Sequence, residues 1–448
     1  MPIVSRSVIA SSKNPAMSEF FICTFGCRCN QADSGAIRES LRRKGLAEAA
    51  NHIDVGLVIV NSCTVTHRTD QQVRQMVRRV HRDNPGARLV VTGCYAERDP
   101  VAVAAIPGVD FTVGNADRDR LAHLLEEDAP GPGLKTVRSP LDGRGSQLPM
   151  PLGETGGRTR PLVKLQDGCD ARCSYCIVPS VRGPGRSAHP DDVIAVMKTL
   201  VTHGYREIVL TGVNLGAYGR KLEGAPTLLD LLRQILEIPG LGRLRLSSIE
   251  PMRFSRGIIR LAGSNPAIAP HFHIPVQSGS DRILQRMRRP YTAARFLSLV
   301  DSIRETLPFS GIGTDVLVGF PGESEDDFQR TCDLVRRAPL TYLHVFPFSA
   351  REGTAACSLG PRVPLPAIRA RVATLRSISR EKGLAFRRSL IGRELQAITL
   401  AREEGMGDSA VLTENYIHAR VAGSVDPNQL VTVRILEAFD EGTAAEVL

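Results

Sequence analysis

The stretch that decides the fold is KLQDGCDARCSYCIVPSVRGPGRS, residues 164–187. It follows a strand-like run and carries Cys169, Cys173 and Cys176 in a C-x3-C-x2-C spacing. A loop at a strand end can turn three thiolates toward one centre. Iron–sulfur cubanes usually take four thiolates, so three local ligands leave one iron open to a substrate or cofactor. A zinc site is the alternative, but zinc prefers two paired cysteine elements, which this run lacks.

Three further cysteines each follow an apolar run near the N-terminus. They are Cys27 in TFGCRCNQADS, Cys63 in IVNSCTVT and Cys94 in VVTGCYAE. Strand and helix signals alternate here in a βαβαβ pattern, which predicts a parallel sheet. Loops at the carboxyl ends of parallel strands can converge, so these thiols predict a second cluster site. The alternative is three unrelated buried cysteines.

The rest of the chain divides into recognisable segments. We predict an α/β protein with an N-terminal parallel-sheet cluster domain (18–128), a Pro- and Gly-rich linker (129–157), a central domain (158–387) and a small C-terminal domain (388–448). Six β-then-α units in the central domain predict a partial (βα)6 barrel with its site at the C-terminal strand ends. Alternating apolar and polar residues in the last segment predict an antiparallel β domain.

Composition favours a polyanionic partner. Lys plus Arg is 57 and Asp plus Glu is 47, which gives a formal charge of +10. Such a balance suits nucleic acid, although an ordinary basic enzyme would look similar. No apolar run reaches the ~20 residues of a membrane span, and the N-terminus does not resemble a signal peptide. We therefore expect a cytoplasmic protein without a membrane partner, starting at Met1 or at Met17.

The central cysteine run, with Tyr175 before its last cysteine, resembles the motif of radical S-adenosylmethionine (SAM) enzymes. Both cysteine triplets in this order, with runs such as HIPVQSGSDRILQRMRRPYT (273–292) and TDVLVGFPGESEDDF (314–328), resemble the methylthiotransferases. The resemblance covers nearly the whole chain, including a C-terminal domain of the TRAM type. It implies two [4Fe–4S] clusters, on Cys27, Cys63 and Cys94 and on Cys169, Cys173 and Cys176. Cys23 and Cys29 depart from the family pattern, and their role stays open.

The resemblance also implies residues that contact SAM. They lie in four runs after central strands, where ordinary turn chemistry is the alternative: Tyr175; Thr211, Gly212 and Asn214; Glu250; Gln277, Ser278 and Gly279; and Gly319, Pro321 and Gly322. Several arginines around these motifs either meet RNA phosphates or form a solvated face: Arg172, Arg182, Arg186, Arg288 and Arg289. The basic run at 368–389 is a further RNA-facing candidate, and Tyr416 and Phe439 are candidate stacking residues.

Methylthiotransferases of this kind divide by target. The run YLHVFPFSAREGTAA (342–356) resembles the group that methylthiolates C2 of N6-threonylcarbamoyladenosine beside the tRNA anticodon. The alternatives are N6-isopentenyladenosine in tRNA, an aspartate of a ribosomal protein or, outside the class, a zinc-stabilised RNA-binding module. The implied reaction uses one SAM as methyl donor and a second as radical source. The expected partners are the tRNA anticodon loop and an electron donor such as a flavodoxin or ferredoxin, with the sulfur donor unidentified.

Overall fold

The computed structural model describes residues 18–127, 135–141, 159–401, 407–440 and 442–448. Both candidate start residues and most of the predicted linker 129–157 lie outside these ranges. Among the helices of the described ranges, none is long and apolar enough to cross a membrane.

The N-terminal domain is a six-stranded parallel sheet flanked by helices, so the predicted parallel sheet is confirmed. Strand order is β2-β1-β3-β4-β5-β6. The strands are β1 (Glu19–Thr24), β2 (Ala47–Glu48), β3 (Leu57–Ser62), β4 (Arg88–Gly93), β5 (Phe111–Val113) and β6 (Lys135–Val137). The helices are α1 (Arg28–Arg43), α2 (His67–Asp83), α3 (Cys94–Arg98), α4 (Pro100–Ala104) and α5 (Leu121–Glu127).

Burial explains why these segments pair. Every residue of β3 is buried, as expected for a central parallel strand covered on both faces. Helix α2 presents Val73, Val77 and Val80 at helical spacing, and this stripe packs into the core beside β3 and β4. Strand β6 falls within the predicted linker and pairs in parallel with β5. The domain boundaries stay predictions.

The central domain is an open barrel, as predicted. Its strands form two sheets, β10-β9-β7-β8 and β11-β12-β13, and a parallel bridge between Leu244 and Ile268 joins their edges. Only β8, paired with β7, runs antiparallel within these sheets. The strands are β7 (Leu162–Asp167), β8 (Arg186–Ser187), β9 (Glu207–Gly212), β10 (Arg243–Leu246), β11 (His271–His273), β12 (Gly311–Val318) and β13 (Tyr342–Pro347).

Helices follow the barrel strands and bury apolar faces against them. In α8, Leu228, Leu231, Leu232 and Ile235 form that face, and a Thr227–Asp230 capping box begins the helix. The helices of this domain are α6 (Val178–Arg182), α7 (Pro190–Thr202), α8 (Leu228–Leu236), α9 (Arg256–Ser264), α10 (Asp281–Arg286), α11 (Ala293–Thr306), α12 (Glu325–Arg337) and α13 (Leu365–Arg388).

The C-terminal domain is a closed barrel of strand order β14-β15-β16-β18-β17. It is antiparallel except where β16 runs parallel to β18. Its strands are β14 (Glu394–Thr399), β15 (Ser409–Thr413), β16 (His418–Val421), β17 (Leu430–Phe439) and β18 (Gly442–Val447). The turn between β15 and β16 packs on the start of β12, where Asn415 donates to the Phe309 carbonyl at 3.0 Å.

Candidate functional site: two thiol triplets at the ends of parallel strands

The central cysteine loop begins where β7 ends. Gly168 has a φ of +69°, and a β-carbon there would lie 2.1 Å from the Pro184 carbonyl oxygen. Only glycine fits this turn without strain. Backbone bonds from Cys169 N–H to Gly183 O (3.0 Å) and from Cys176 N–H to Cys173 O (3.2 Å) then fold the loop onto itself. The loop therefore gathers three thiols at the carboxyl end of the barrel.

Polar side chains surround these thiols. The Asn214 amide lies 4.0 Å from Cys169 Sγ, and an Arg289 Nη lies 3.4 Å from Cys173 Sγ. Arg289 also forms a close ion pair with Glu250. Burial raises the pKa of Cys169, and it raises the pKa of Cys176 to about 12. A bound metal would take the place of the protons on these thiols.

A cavity of about 180 Å³ opens beside Cys169 and Cys173. Gln166, Asn214 and Arg253 are among its lining residues. Gln166 accepts from the Asn214 backbone N–H at 2.6 Å and donates to the Gly168 carbonyl at 2.8 Å. Sequence reasoning missed Gln166, which ties the cysteine loop to the turn after β9.

The three N-terminal cysteines lie near one another at the carboxyl ends of neighbouring strands. Cys27 directly precedes α1, Cys63 directly follows β3, and Cys94 begins α3 directly after β4. Strand β1, which precedes Cys27, pairs in parallel with β3, and β3 pairs in parallel with β4. The Asn30 side-chain oxygen lies 3.8 Å from Cys27 Sγ and 3.9 Å from Cys94 Sγ. Gly26 approaches Cys63 so closely that a β-carbon would lie 2.8 Å from its sulfur.

Cys29 is buried beside Cys27 on the first turn of α1. A side-chain hydrogen bond with Cys29 lowers the pKa of Cys27 to about 6 and raises the pKa of Cys29. Cys23 lies in β1, opposite Val60 of β3. Burial raises the pKa of Cys63 to about 12 and also raises the pKa of Cys94. Cys27 therefore differs from the other two thiols in its acidity.

A buried ionic network joins the two cysteine regions. Arg182, at the end of α6, donates to Asn30 Oδ1, to Asp33 (2.8 Å) and to Asp167 (2.7 Å). Asp33 also pairs with Arg118 at 2.8 Å and closely with Lys164. Burial opposes ionisation of Asp33, but Arg118, Lys164 and Arg182 together lower its pKa to about 2. The network thus holds α1 of the N-terminal domain against β7 and α6 of the barrel.

The network carries more positive than negative charge. Arg118, Arg182, Arg186 and Lys164 are four cations around three carboxylates, those of Asp33, Asp167 and the more exposed Asp119. The Nε atoms of Arg118 and Arg186 are buried without a hydrogen-bond partner within the described part of the chain. Buried charge needs compensation. Anionic iron–sulfur clusters on thiolates nearby would supply it, so the donor set fits such groups.

The expected SAM contacts divide into two groups. Thr211, Gly212, Asn214 and Glu250 lie close to the central cysteine loop: β9 carries Thr211 and Gly212, Asn214 reaches Cys169, and Glu250 pairs with Arg289. Tyr175 packs near Phe320 and Met287 at the same end of the barrel. These positions are compatible with the predicted role, which stays a prediction.

The remaining expected contacts make bonds within the protein. The Ser278 hydroxyl lies 3.4 Å from that of Thr331, which also accepts from Gly279 N–H at 3.0 Å. Gln277 has a φ of +67°, and its backbone pairs with β12. A β-carbon on Gly319 would lie 2.6 Å from the Ile368 side chain, and one on Gly322 would lie 3.0 Å from Arg286. Arg286 donates to the Pro321 carbonyl at 3.3 Å. These contacts show turn and packing roles, and any SAM contact there stays a prediction.

Three arginines named as phosphate-binding candidates are misassigned. Arg182, Arg186 and Arg289 are buried and bonded to the groups described above, so they do not form an RNA-facing surface. The sequence signal misleads because a charged residue beside a cluster motif looks the same whether it faces RNA or a buried carboxylate. Tyr416 likewise stacks within the protein, on His271, whereas Phe439 is exposed.

Comparison with known proteins defines the class first. Residues 163–335 match the Radical SAM superfamily, and residues 19–114 match Uncharacterized protein family UPF0004. A cobalamin-binding radical SAM methyltransferase from Kitasatospora setae, TsrM, has a related fold: the TM-score is 0.52 at 17% identity, over 74% of this chain and 75% of that one. This chain is a radical SAM protein.

Full-length relatives define the family. Threonylcarbamoyladenosine tRNA methylthiotransferase MtaB from Aquifex aeolicus is 35% identical over 92% of this chain and 98% of its own length. The same-named protein from Bacillus subtilis is 33% identical over 95% and 96%. The tRNA-2-methylthio-N(6)-dimethylallyladenosine synthase from Nocardia farcinica is 34% identical over 93% and 86%. The chain belongs to the methylthiotransferase family, whose members use SAM and two [4Fe–4S] clusters.

Proposed function

We propose that this chain adds a methylthio group to C2 of N6-threonylcarbamoyladenosine beside the anticodon of tRNA. The observation that supports the enzyme class is the pair of thiol triplets at carboxyl strand ends. Asn30 lies beside the N-terminal triplet and accepts from Arg182, which ends the helix that follows the central cysteine loop. The target follows from relatives of that name at 33–35% identity over 84–96% of the chain. The run 342–356 supports the same group.

In this proposal Cys169, Cys173 and Cys176 hold one cluster, and Cys27, Cys63 and Cys94 hold the other. The bound cofactors supply reductive SAM cleavage and a radical that removes hydrogen from an unactivated carbon. The chain's own residues orient the cluster ligands and shield the cavity where SAM would bind. The Arg289 guanidinium lies 3.4 Å from Cys173 Sγ and would orient that ligand. Gln166 and Asn214 fix the edge of the cavity where SAM would bind.

We further propose that α13 faces the tRNA. Arg369, Arg376 and Arg380 are exposed on it, and their spacing places them on one helical face. A row of exposed cations suits contacts to RNA phosphates, which depend on salt. The electron donor would be a flavodoxin or ferredoxin, and the enzyme would act in the cytoplasm on its tRNA.

A second candidate target is N6-isopentenyladenosine. The observation that favours it is the similarly high identity, 34%, to the dimethylallyladenosine synthase of Nocardia farcinica. An aspartate of a ribosomal protein is a third candidate. All three share the clusters and the chemistry, and they differ in what the site accepts beside the reacting carbon.

Mass spectrometry of nucleosides from total tRNA, in cells with and without this gene, tests the target. We expect 2-methylthio-N6-threonylcarbamoyladenosine to disappear and its unthiolated precursor to accumulate when the gene is deleted. Loss of the isopentenyl product instead would assign the second target. Unchanged tRNA nucleosides would contradict both tRNA targets and leave the ribosomal protein.

A further inference from the structure

The inner wall of the barrel carries a continuous row of rings and polar groups. We call His271, His273, Asp315, Tyr342 and His344 the histidine–tyrosine row. The Tyr342 hydroxyl lies 2.8 Å from His271 Nε2 and 3.1 Å from His273 Nδ1. Asp315 Oδ1 lies 3.0 Å from His273 Nε2 and 3.3 Å from His344 Nδ1. The row therefore links strands β11, β12 and β13 through side chains.

The row is exposed at one end. Along β13, Tyr342, His344 and Phe346 share one face, while Leu343 and Val345 point into the hydrophobic core. The His344 side chain is 55% exposed, whereas that of His273 is 6% exposed. Phe346 beside it is also exposed. Because Asp315 engages Nδ1 of His344, Nε2 remains available, with no hydrogen-bond partner within the described residues.

The other two domains complete this wall. Tyr416 of the C-terminal barrel stacks on His271 with ring centroids 4.1 Å apart. Arg28, the residue after Cys27, donates to the Tyr416 hydroxyl at 2.9 Å. Within the described ranges no carboxylate lies within salt-bridge distance of Arg28, so its charge is free to meet an anion. Arg28, which follows a proposed cluster ligand, therefore reaches the tyrosine that stacks on the histidine–tyrosine row.

Backbone features show that this arrangement is strongly constrained. Tyr416 has a φ of +75°, which side chains of its size rarely adopt, so its surroundings hold it there. Gly313 allows the Tyr342 ring to lie on the β12 backbone, because a β-carbon would be 2.0 Å from its Cζ. Strain and close approach of this kind cluster at binding sites.

We propose that His344, oriented by Asp315, and Arg28 form the subsite that receives an anionic N6 substituent of the substrate adenosine, with its carboxylate accepting from the His344 imidazole and the Arg28 guanidinium. The inference rests on the proposed function and deepens it. A threonylcarbamoyl group carries a carboxylate and a hydroxyl that these donors can satisfy. An isopentenyl group would offer these two donors no acceptor, so a site that binds through them would discriminate against it.

Binding of synthetic anticodon stem-loops to the anaerobically reconstituted full chain tests the subsite. The RNAs carry N6-threonylcarbamoyladenosine, its threonine methyl ester or N6-isopentenyladenosine at the target position. We expect the wild type to bind the free acid about tenfold more tightly than the ester, since a charge-assisted hydrogen bond is lost. His344→Leu and Arg28→Met should each remove most of that preference. His203→Leu, at the exposed C-cap of α7, is the matched control and should keep it.

Cluster iron and RNA-independent SAM cleavage should stay at wild-type levels in all three variants, which separates the subsite from folding. Equal binding of acid and ester by the wild type would overturn the inference, and so would an unchanged preference in both His344→Leu and Arg28→Met. A variant that lacks the six cluster cysteines tests for a metal site instead. If it retains one divalent cation per chain, and His344→Leu loses that cation, then His273, Asp315 and His344 bind a metal. If the wild type thiolates only the isopentenyl RNA, the proposed target fails as well.

Discussion

Asn30 is the residue on which the N-terminal triplet depends most directly. Its side-chain N–H group donates to the carbonyls of Phe25 (2.8 Å) and Ser62 (3.0 Å), which fixes the amide orientation. The oxygen is therefore turned toward Cys27, Cys94 and Arg182. One amide thus holds the loops that carry two proposed ligands and connects them to the barrel.

We expect Asn30→Leu to lose the N-terminal cluster and keep the central one. Removal of the amide leaves Arg182 short of an acceptor and frees the Cys27 loop, so iron should fall from about eight to about four per chain. Iron and sulfide analysis of reconstituted protein measures this, with SAM cleavage as the readout of the central cluster. Asn265→Leu, at the C-terminus of α9, is the control. Full iron content in Asn30→Leu would contradict this role.

The two thiol triplets should separate in their effects. Cys173→Ala removes a proposed ligand of the central cluster, so all SAM cleavage should be abolished. Cys63→Ala should retain cleavage to 5′-deoxyadenosine but give no methylthiolated RNA. Chromatography of both products from one reaction measures the split, and Cys332→Ala, in α12, should preserve both. Wild-type product yield from Cys63→Ala would remove that cysteine from the mechanism.

In the strands and helices, glycine is required where another group packs directly against its α-carbon. In β12, Gly313→Ala would push a β-carbon to 2.0 Å from Tyr342, whose ring is held by His271 and His273. We expect a loss of about 1–3 kcal/mol in stability from the displaced ring. Gly35→Ala, in α1, should gain about 0.5–1 kcal/mol, because nothing lies within 4 Å of its added carbon. Urea denaturation compares the two, and equal midpoints would contradict the packing argument.

The sequence predicted most of the long elements and missed several short ones. Continuous apolar runs such as LVIVNS of β3, and the six strand runs that alternate with helix runs in the central domain, can be recognised in the sequence. Strands β2 and β8 have two residues each, and β5 and β6 have three, too few for a period to be visible. Their pairing depends on the neighbouring strand that they extend. The parallel β16–β18 pair also depends on closure of the barrel, which local alternation does not encode.

At the scale of the whole molecule, the sequence identified the cysteines but not the groups that bring them together. Cysteine spacing and position after strands are local and can be read directly. The bond from Arg182 to Asn30 joins residues 152 positions apart, and that from Arg28 to Tyr416 spans 388. Such contacts exist only after the domains dock, so residue type alone led to the wrong environment for Arg182.

Docking of the N-terminal domain should depend on pH through Asp33. Its pKa is lowered from 3.8 to about 2, so the ionised carboxylate contributes stability at every pH above about 4. That contribution is lost as pH falls from about 4 toward 2, where the Asp33 carboxylate becomes protonated in the folded state as well. Asp33→Asn lacks it at all pH values and leaves Arg118 and Arg182 short of a counter-charge, at a cost of about 2–4 kcal/mol.

Thermal unfolding of cluster-free protein tests this dependence. We expect the midpoint of Asp33→Asn to lie below that of the wild type by a constant interval from pH 8 to 5, and the interval to shrink below pH 4. Asp333→Asn removes an exposed carboxylate on α12 and should match the wild type throughout. An interval that persists undiminished at pH 2.5 would mean that Asp33 stabilises the domain contact by its shape rather than by its charge.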